Sequence, residues 1–328
     1  MKRILAAGWL LTAFALLLPL AVGAGAQPFP TQTPAPDVPA ASLSAGESDS
    51  AHMVSLLLHG EVVTLSMYDY LQGVVAAEMP AEFEPEALKA QAVAARTFTL
   101  YRQAGAPMSE HRGAQVCADS THCKAYLSPE EAAARWGERA EACGEKIRAA
   151  VAATDGVALY YQDAPILAVF HSTSSGRTEA AGDVWTQDLP YLQSVESPGE
   201  EASPRYYGEL TLTPEEFQAA VLSAWPEADL SGAVEDWCSQ PVRSQGGAVT
   251  SMEIGGVTVT GGELRQVFSL QSANLTITPG EDAITITTLG YGHGVGLSQY
   301  GAQAMALAGA DYAAILEHYY TGVTLEKK

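Results

Sequence analysis

Apolar and polar positions along the chain fall into short blocks of two periodicities. VSLLLHGEVVTLSM holds two apolar runs on either side of His59-Gly60-Glu61, which predicts a β-hairpin. Residues 68–77 predict a short helix. Met79 precedes Pro80, and a residue before proline is disfavoured in the α region, so that helix stops at about Glu78. A second helix opens at Pro85, with Glu86 at its positive end, and runs through ALKAQAVAARTFTLYR with Leu88, Ala92, Ala95 and Thr99 along one face. Ser128-Pro129-Glu130-Glu131 and Thr213-Pro214-Glu215-Glu216 each give a cap, a proline and two acids, the order of a helix start. Strand-like runs lie at GVALYY, ILAVFHS, SMEIGGVTVT, LTITP and AITITT, and two helical stretches, 298–307 and 311–320, close the chain. Helices and strands are interspersed without regular βαβ alternation and without an internal repeat, which predicts an α+β fold of mixed helices and strands.

The N-terminus breaks this pattern. Lys2 and Arg3 precede an uncharged run from residue 4 to 26, long for an export signal and long enough for one spanning helix. Ala24-Gly25-Ala26 is a candidate cleavage site, so a cleaved signal and a retained anchor are both open; a retained anchor over 1–26 is the expectation. Residues 27–50 are rich in Pro, Ala and Ser and poor in bulky apolar side chains, a tethering linker. Residues 51–328 then form the folded body, outside the cytoplasm in either case.

Charge narrows the function. The 328 residues carry 17 Lys+Arg against 38 Asp+Glu, a formal charge of −21, which repels phosphate backbones and disfavours nucleic acid as a partner. With 47% apolar residues the chain is not disordered as a whole, and its single long apolar run excludes a multi-span membrane protein.

Three regions carry candidate chemistry. Glu78 ends its helix among Val, Ala, Met and Pro. Apolar surroundings desolvate a carboxylate and the negative helix end repels it, so both raise its pKa towards that of a general acid; an exposed helix-terminal acid is the alternative. His111, Cys117, His122 and Cys123 supply two thiols and two imidazoles within thirteen residues, enough for a four-ligand structural zinc. A Cys117–Cys123 disulfide is the rival in an exported protein, and Cys143 and Cys238 are a second possible pair. The third region is two stretches, HSTSSGRTE from His171 and GYGHGVGLSQYG from Gly290. Glycine at alternate positions around His293 means a backbone that turns sharply or approaches something closely. The polar and aromatic side chains His171, Ser172, Ser175, Arg177, His293, Ser298, Gln299 and Tyr300 suit a glycan groove, with a buried structural role for His293 as the alternative. No G-x-S-x-G elbow, H-E-x-x-H motif or Walker A loop is present.

Taken together, YLQGVVAAEMPAEFEPEALKAQAVAARTFTLYR, CADSTHC followed by KAY, HSTSSGRTEAAGDVW with PYLQSVESP, GYGHGVGLSQYGAQAMA and ILEHYYTGV resemble the stage II sporulation protein D family, the SpoIID-type lytic transglycosylases. The resemblance covers roughly residues 53–323. It implies a single bilobed catalytic body with a glycan-binding groove, behind an N-terminal anchor in the engulfing membrane of the mother cell. It implies cleavage of the MurNAc–GlcNAc bond of peptide-stripped peptidoglycan to 1,6-anhydroMurNAc ends during engulfment, alongside a sporulation amidase and membrane scaffold proteins. At matching positions it implies Glu78 as catalytic acid/base, Arg96 and Tyr191 as residues needed for activity, and His111, Cys117, His122 and Cys123 as zinc ligands. The position two beyond Tyr191, commonly basic in the family, is Gln193 here, which leaves no charge for a role there.

One carboxyl group suffices when the sugar's own C6 hydroxyl is the nucleophile, whereas ordinary glycosidases use two. Arg96, on the following helix, is placed to orient Glu78 or a substrate oxygen and would lower the carboxyl's pKa. Glu82, Glu84 and Asp183 are possible second carboxylates that keep hydrolysis open. The competing readings are a non-catalytic amidase enhancer of LytB type and a zinc hydrolase.

Overall fold

A computed structural model describes residues 47–105, 108–185 and 187–327. The expected anchor at 1–26 and nearly all of the expected linker lie outside the described residues; among these, no helix is long and apolar enough to cross a membrane. The chain divides into Met1–Pro34 and Ala35–Lys328, and every described residue lies in the second unit.

The fold is α+β. Met53–Leu58 and Glu61–Ser66 form the expected hairpin, paired from Leu58 with Glu61 to Met53 with Ser66. Ser66 accepts the Asp69 N–H and caps the helix Met67–Glu78, which ends at an extended Met79 before Pro80. The helix Pro85–Ala104 follows. Its expected apolar face is buried, but so is every other face from Ala90 to Thr99. The run of alanines lets neighbouring backbones approach from all sides, so this helix is the axis of the core rather than a surface helix.

The last residues of the expected linker belong to the body instead. Glu47–Ala51 is a short helix, and Asp49 is 2% exposed. Polar composition hid it because Asp49 is buried by an ion pair, not by hydrophobicity.

Two hydrophobic cores form. The first gathers Tyr70, Leu71, Val74, Leu88, Val93, Ile147, Leu297 and Tyr320 around the Pro85–Ala104 helix. The second lies within residues 207–289, where Phe217 stacks on Phe268 and Trp237 at 5.1 and 6.1 Å over Val221, Ile254 and Ile286. Its sheets are Leu275–Thr278, Ile284–Leu289 and Tyr207–Leu212 in antiparallel order, and Val257–Val259, Val249–Ile254 and Val242–Arg243. SMEIGGVTVT, read as one strand, is a hairpin, because Gly255 and Gly256 both take positive φ. ILAVFHS contributes only Phe170–His171 as strand, parallel to Leu297–Ser298. That short pairing joins the two segments singled out above.

The capping boxes at Ser128/Glu131 and Thr213/Glu216 form as expected. Cys143 packs in the first core and Cys238 against the second, and all four cysteines are free.

Candidate active site

The loop after Cys123 is fastened onto the helix that carries Glu78. Gly73 makes the fastening possible: a Cβ there would stand 2.2 Å from the Tyr126 ring and 2.6 Å from the Leu127 carbonyl. With no side chain in the way, Leu127 N–H reaches the Gly73 carbonyl at 3.1 Å. The same approach brings Ala125 N–H onto Glu78 Oε1 at 2.7 Å.

Glu78 is half-buried, and burial raises its carboxyl above the usual 4.5. The Lys124 charge, the Ala125 N–H and the Gln299 side chain pull the other way, in that order. Burial was foreseen; the helix-end repulsion is offset, because Arg135 Nη1 donates to the Ala76 and Ala77 carbonyls at 3.2 Å.

The cation acting on Glu78 is therefore Lys124, not Arg96. Lys124 is 6% exposed, with Nζ 3.6 Å from the centroid of Phe170 and 4.4 Å from that of Phe98. Burial pulls the ammonium down to about 8, against the attraction of Glu78 and Cys123. No sequence signal marked it, since its cage is assembled from three distant segments.

Arg96 turns away from Glu78. Its Nε and Nη2 donate to Asp49 at 2.9 and 2.5 Å and its Nη1 to the Val157 carbonyl at 3.0 Å. Tyr191 is buried too, its hydroxyl accepting the Leu167 N–H at 3.2 Å. Both side chains are bonded within the frame of the site, Arg96 to Asp49 rather than to Glu78. Gln193 donates to the Leu189 carbonyl.

Among the groove residues, Gln299 is buried against Glu78 and Gln91, with its amide 3.4 Å from Gln91 Oε1. Ser298 is fully buried and its hydroxyl accepts the Gly301 N–H as a helix cap, so it is not a surface for sugar. Tyr300 lies edge-on to Phe83, and Ser172 bonds to Thr173.

His171 is 4% exposed; its Nδ1–H donates to the Val295 carbonyl at 3.1 Å, and burial lowers its pKa to about 4. His293 accepts the Val295 N–H on Nδ1 and packs its ring against His171 and Trp185. Burial lowers the pKa of that ring well below the usual 6.5, with His171, Lys124 and Arg265 acting in the same direction. His293, Ser175 and Arg177 line a small, open recess with Thr173, Ser272 and Asn274. Glu179, on its wall, was not foreseen: its carboxylate accepts from Ser244 and from Ala248 N–H, tying 171–179 to the segment that carries the second core.

Of the possible second carboxylates, Glu82 is exposed and paired with Arg139, Glu84 begins the Pro85–Ala104 helix, and Asp183 acts on Glu179. None of the three contributes to the charges that shift Glu78.

The metal candidates do converge. Val116–Cys117 pairs parallel to Met53–Leu58, and a turn held by Asp119, whose carbonyl receives the Cys123 N–H at 2.7 Å, returns the second thiol. The ligand atoms of His111, Cys117, His122 and Cys123 lie within 4.8 Å of one another and can hold a metal ion. Both thiols are free in this structure, and the two imidazoles lie beside them.

The model of the SpoIID stage II sporulation protein family matches residues 59–161, the span that carries Glu78, Arg96, the four-residue cluster and Lys124. Stage II sporulation protein D of Bacillus subtilis is 40% identical over 266 residues, covering 81% of this chain and 76% of that protein. The chain belongs to the stage II sporulation protein D family. The Bacillus amyloliquefaciens protein of that name is 39% identical over the same shares. An amidase enhancer of Bacillus subtilis is 30% identical, over 78% of this chain and 40% of that protein. Family membership gives the chain a place in sporulation.

Proposed function

We propose that this chain is a peptidoglycan lytic transglycosylase, with Glu78 as its single acid/base. The observation that carries the reading is the setting of that carboxyl: half-buried, raised above its usual range, and held by Ala125 N–H and Gln299 with no second carboxylate among the charges that shift it. In the proposed reaction Glu78 gives its proton to the GlcNAc O4 as the MurNAc C1–O4 bond breaks. The MurNAc C6 hydroxyl attacks C1, and the Glu78 carboxylate takes the C6 hydroxyl proton. No water is consumed, the acid is regenerated, and the product ends in 1,6-anhydroMurNAc. The recess beside His293 would form part of a bilobed groove for the neighbouring sugars, with Ser175 and Arg177 as hydroxyl contacts there and Tyr300, packed on Phe83, as a ring contact elsewhere along it. Arg96 and Tyr191 enter as framing residues.

The four-residue cluster suits zinc. With zinc–sulfur near 2.3 Å and zinc–nitrogen near 2.0–2.1 Å, ligand atoms of a tetrahedron stand roughly 3.3–3.8 Å apart. The sulfur–nitrogen pairs at 3.4, 3.4 and 3.8 Å fall in that range, whereas the His111–His122 nitrogens at 3.0 Å stand closer and the whole set spreads over up to 4.8 Å, so the side chains would adjust on binding an ion. Bound there, zinc would cross-link the loop that ends at Lys124 and Ala125. Four protein ligands fill a tetrahedron, so the role is structural rather than that of a zinc hydrolase.

The reading includes an N-terminal anchor, an extracytoplasmic position on the engulfing membrane, peptide-stripped glycan as substrate, and a sporulation amidase and membrane scaffold proteins as partners. The likeness to an amidase enhancer favours one second reading, a non-catalytic enhancer. Incubation of the purified chain with peptide-stripped strands, with and without an amidase, separates the two. Anhydro ends formed without amidase support the enzyme; faster amidase turnover with no new ends supports the enhancer.

A further inference from the structure

Lys124 is a buried cation with no carboxylate in direct contact among the described residues. Its residue surface is 94% covered, since only 6% is exposed. Two phenylalanine rings cage its ammonium. Among the described residues it forms no ion pair, while six other cation–carboxylate contacts are made elsewhere. A cation this well covered has lost most of its hydration and gains from an anion that comes to it.

Its position adds the chemistry. Lys124 directly precedes Ala125, whose N–H holds Glu78, and its charge acts on both Glu78 and His293. Arginines of the two regions are already engaged: Arg135 with the helix end at Glu78, Arg265, which also acts on His293, with the Leu270 carbonyl, and Arg177 with Ser194 and Glu196. In a chain of charge −21, an anionic group of the substrate meets few free cations.

A MurNAc residue carries a lactyl carboxyl. While a stem peptide is attached that carboxyl is an amide and uncharged; after the peptide is removed it is a carboxylate. We propose that Lys124 receives the lactyl carboxylate of the MurNAc at the cleaved bond and so selects peptide-free strands. The inference rests on the cleavage reading above and assigns its substrate selectivity to one side chain. A carboxylate satisfies the ammonium, whereas an amide leaves it unpaired and adds bulk where the rings leave little room.

The test uses the full chain and two substrates: peptide-stripped strands, and the same strands with their lactyl carboxylates converted to primary amides. Wild type is expected to lose about tenfold or more in kcat/KM on the amidated strands, chiefly through KM. Lys124→Met is expected to lose a similar factor on the free-carboxylate strands and to treat both substrates alike; Lys124→Arg keeps part of the preference. Equal cleavage of both substrates by wild type overturns the proposal, as does a folded Lys124→Met that still discriminates. If Lys124→Met does not fold, the wild-type comparison decides. If wild type forms no anhydro ends at all, the cleavage reading fails separately. Strand binding then decides this proposal: tighter binding of free-carboxylate strands supports it and equal binding overturns it.

Discussion

Arg96 and Asp49 form a bidentate ion pair buried on both sides, with Nη2 2.5 Å from Oδ2 and side chains 2% and 3% exposed. It joins the middle of the central helix to the first described turn of the chain, and Asp49 also accepts the Gly156 N–H. Asp49→Ala leaves a buried guanidinium uncompensated and is expected to cost about 3–5 kcal/mol in urea unfolding. A loss under about 1 kcal/mol would show that the pair does not hold the frame.

Gly73→Ala tests how Glu78 is positioned. The new methyl would collide with the Tyr126 ring and the Leu127 carbonyl, so the loop must move off the helix. Overpacking of this kind costs about 1–3 kcal/mol. Because Ala125 N–H moves with the loop, strand cleavage is expected to fall by more than stability alone explains. Cleavage at the wild-type rate by a folded Gly73→Ala would mean that the Ala125 contact is dispensable.

These two sites mark what was legible in the sequence. The hairpin, the helix stop at Glu78 and both capping boxes were, because each is set by residues a few positions apart. Glu78 stood out since its apolar neighbours lie beside it in sequence. Asp49 and Lys124 did not, because what buries them comes from positions 96 and 156, and from 98 and 170. The Asp49 partner of Arg96 was hidden for the same reason: sequence places Arg96 one helix from Glu78 but does not say which way it points.

His171 sets a pH dependence. Above pH 6.5 its ring is neutral in both folded and unfolded chains. As pH falls towards 4 the unfolded chain takes up a proton that the buried ring refuses, so stability is lost across that window, by about 3 kcal/mol. In His171→Gln this contribution is absent. The difference in unfolding free energy between wild type and variant is expected to shift in the variant's favour from pH 7 to pH 4. A difference independent of pH would contradict the buried neutral ring.

Metal loading is expected to raise stability without supplying the reaction. At free zinc a hundredfold above its Kd the gain is about 3 kcal/mol, removed by a chelator. Replacing both Cys117 and Cys123 by Ser should abolish the response. A chelator that leaves the unfolding midpoint unchanged in wild type would exclude a bound structural ion.

Everything converges on Glu78, and the most direct measurement is mass spectrometry of peptide-stripped strands after incubation with wild type and Glu78→Gln. The amide can still accept the Ala125 N–H. Removing a carboxyl whose pKa the fold raises should leave the variant at least as stable as wild type at pH 7, a gain that vanishes below pH 4.5. Wild type is predicted to yield 1,6-anhydroMurNAc ends, and folded Glu78→Gln to bind the same strands while forming such ends at least about a hundredfold more slowly. Undiminished release of anhydro ends by Glu78→Gln would contradict the account.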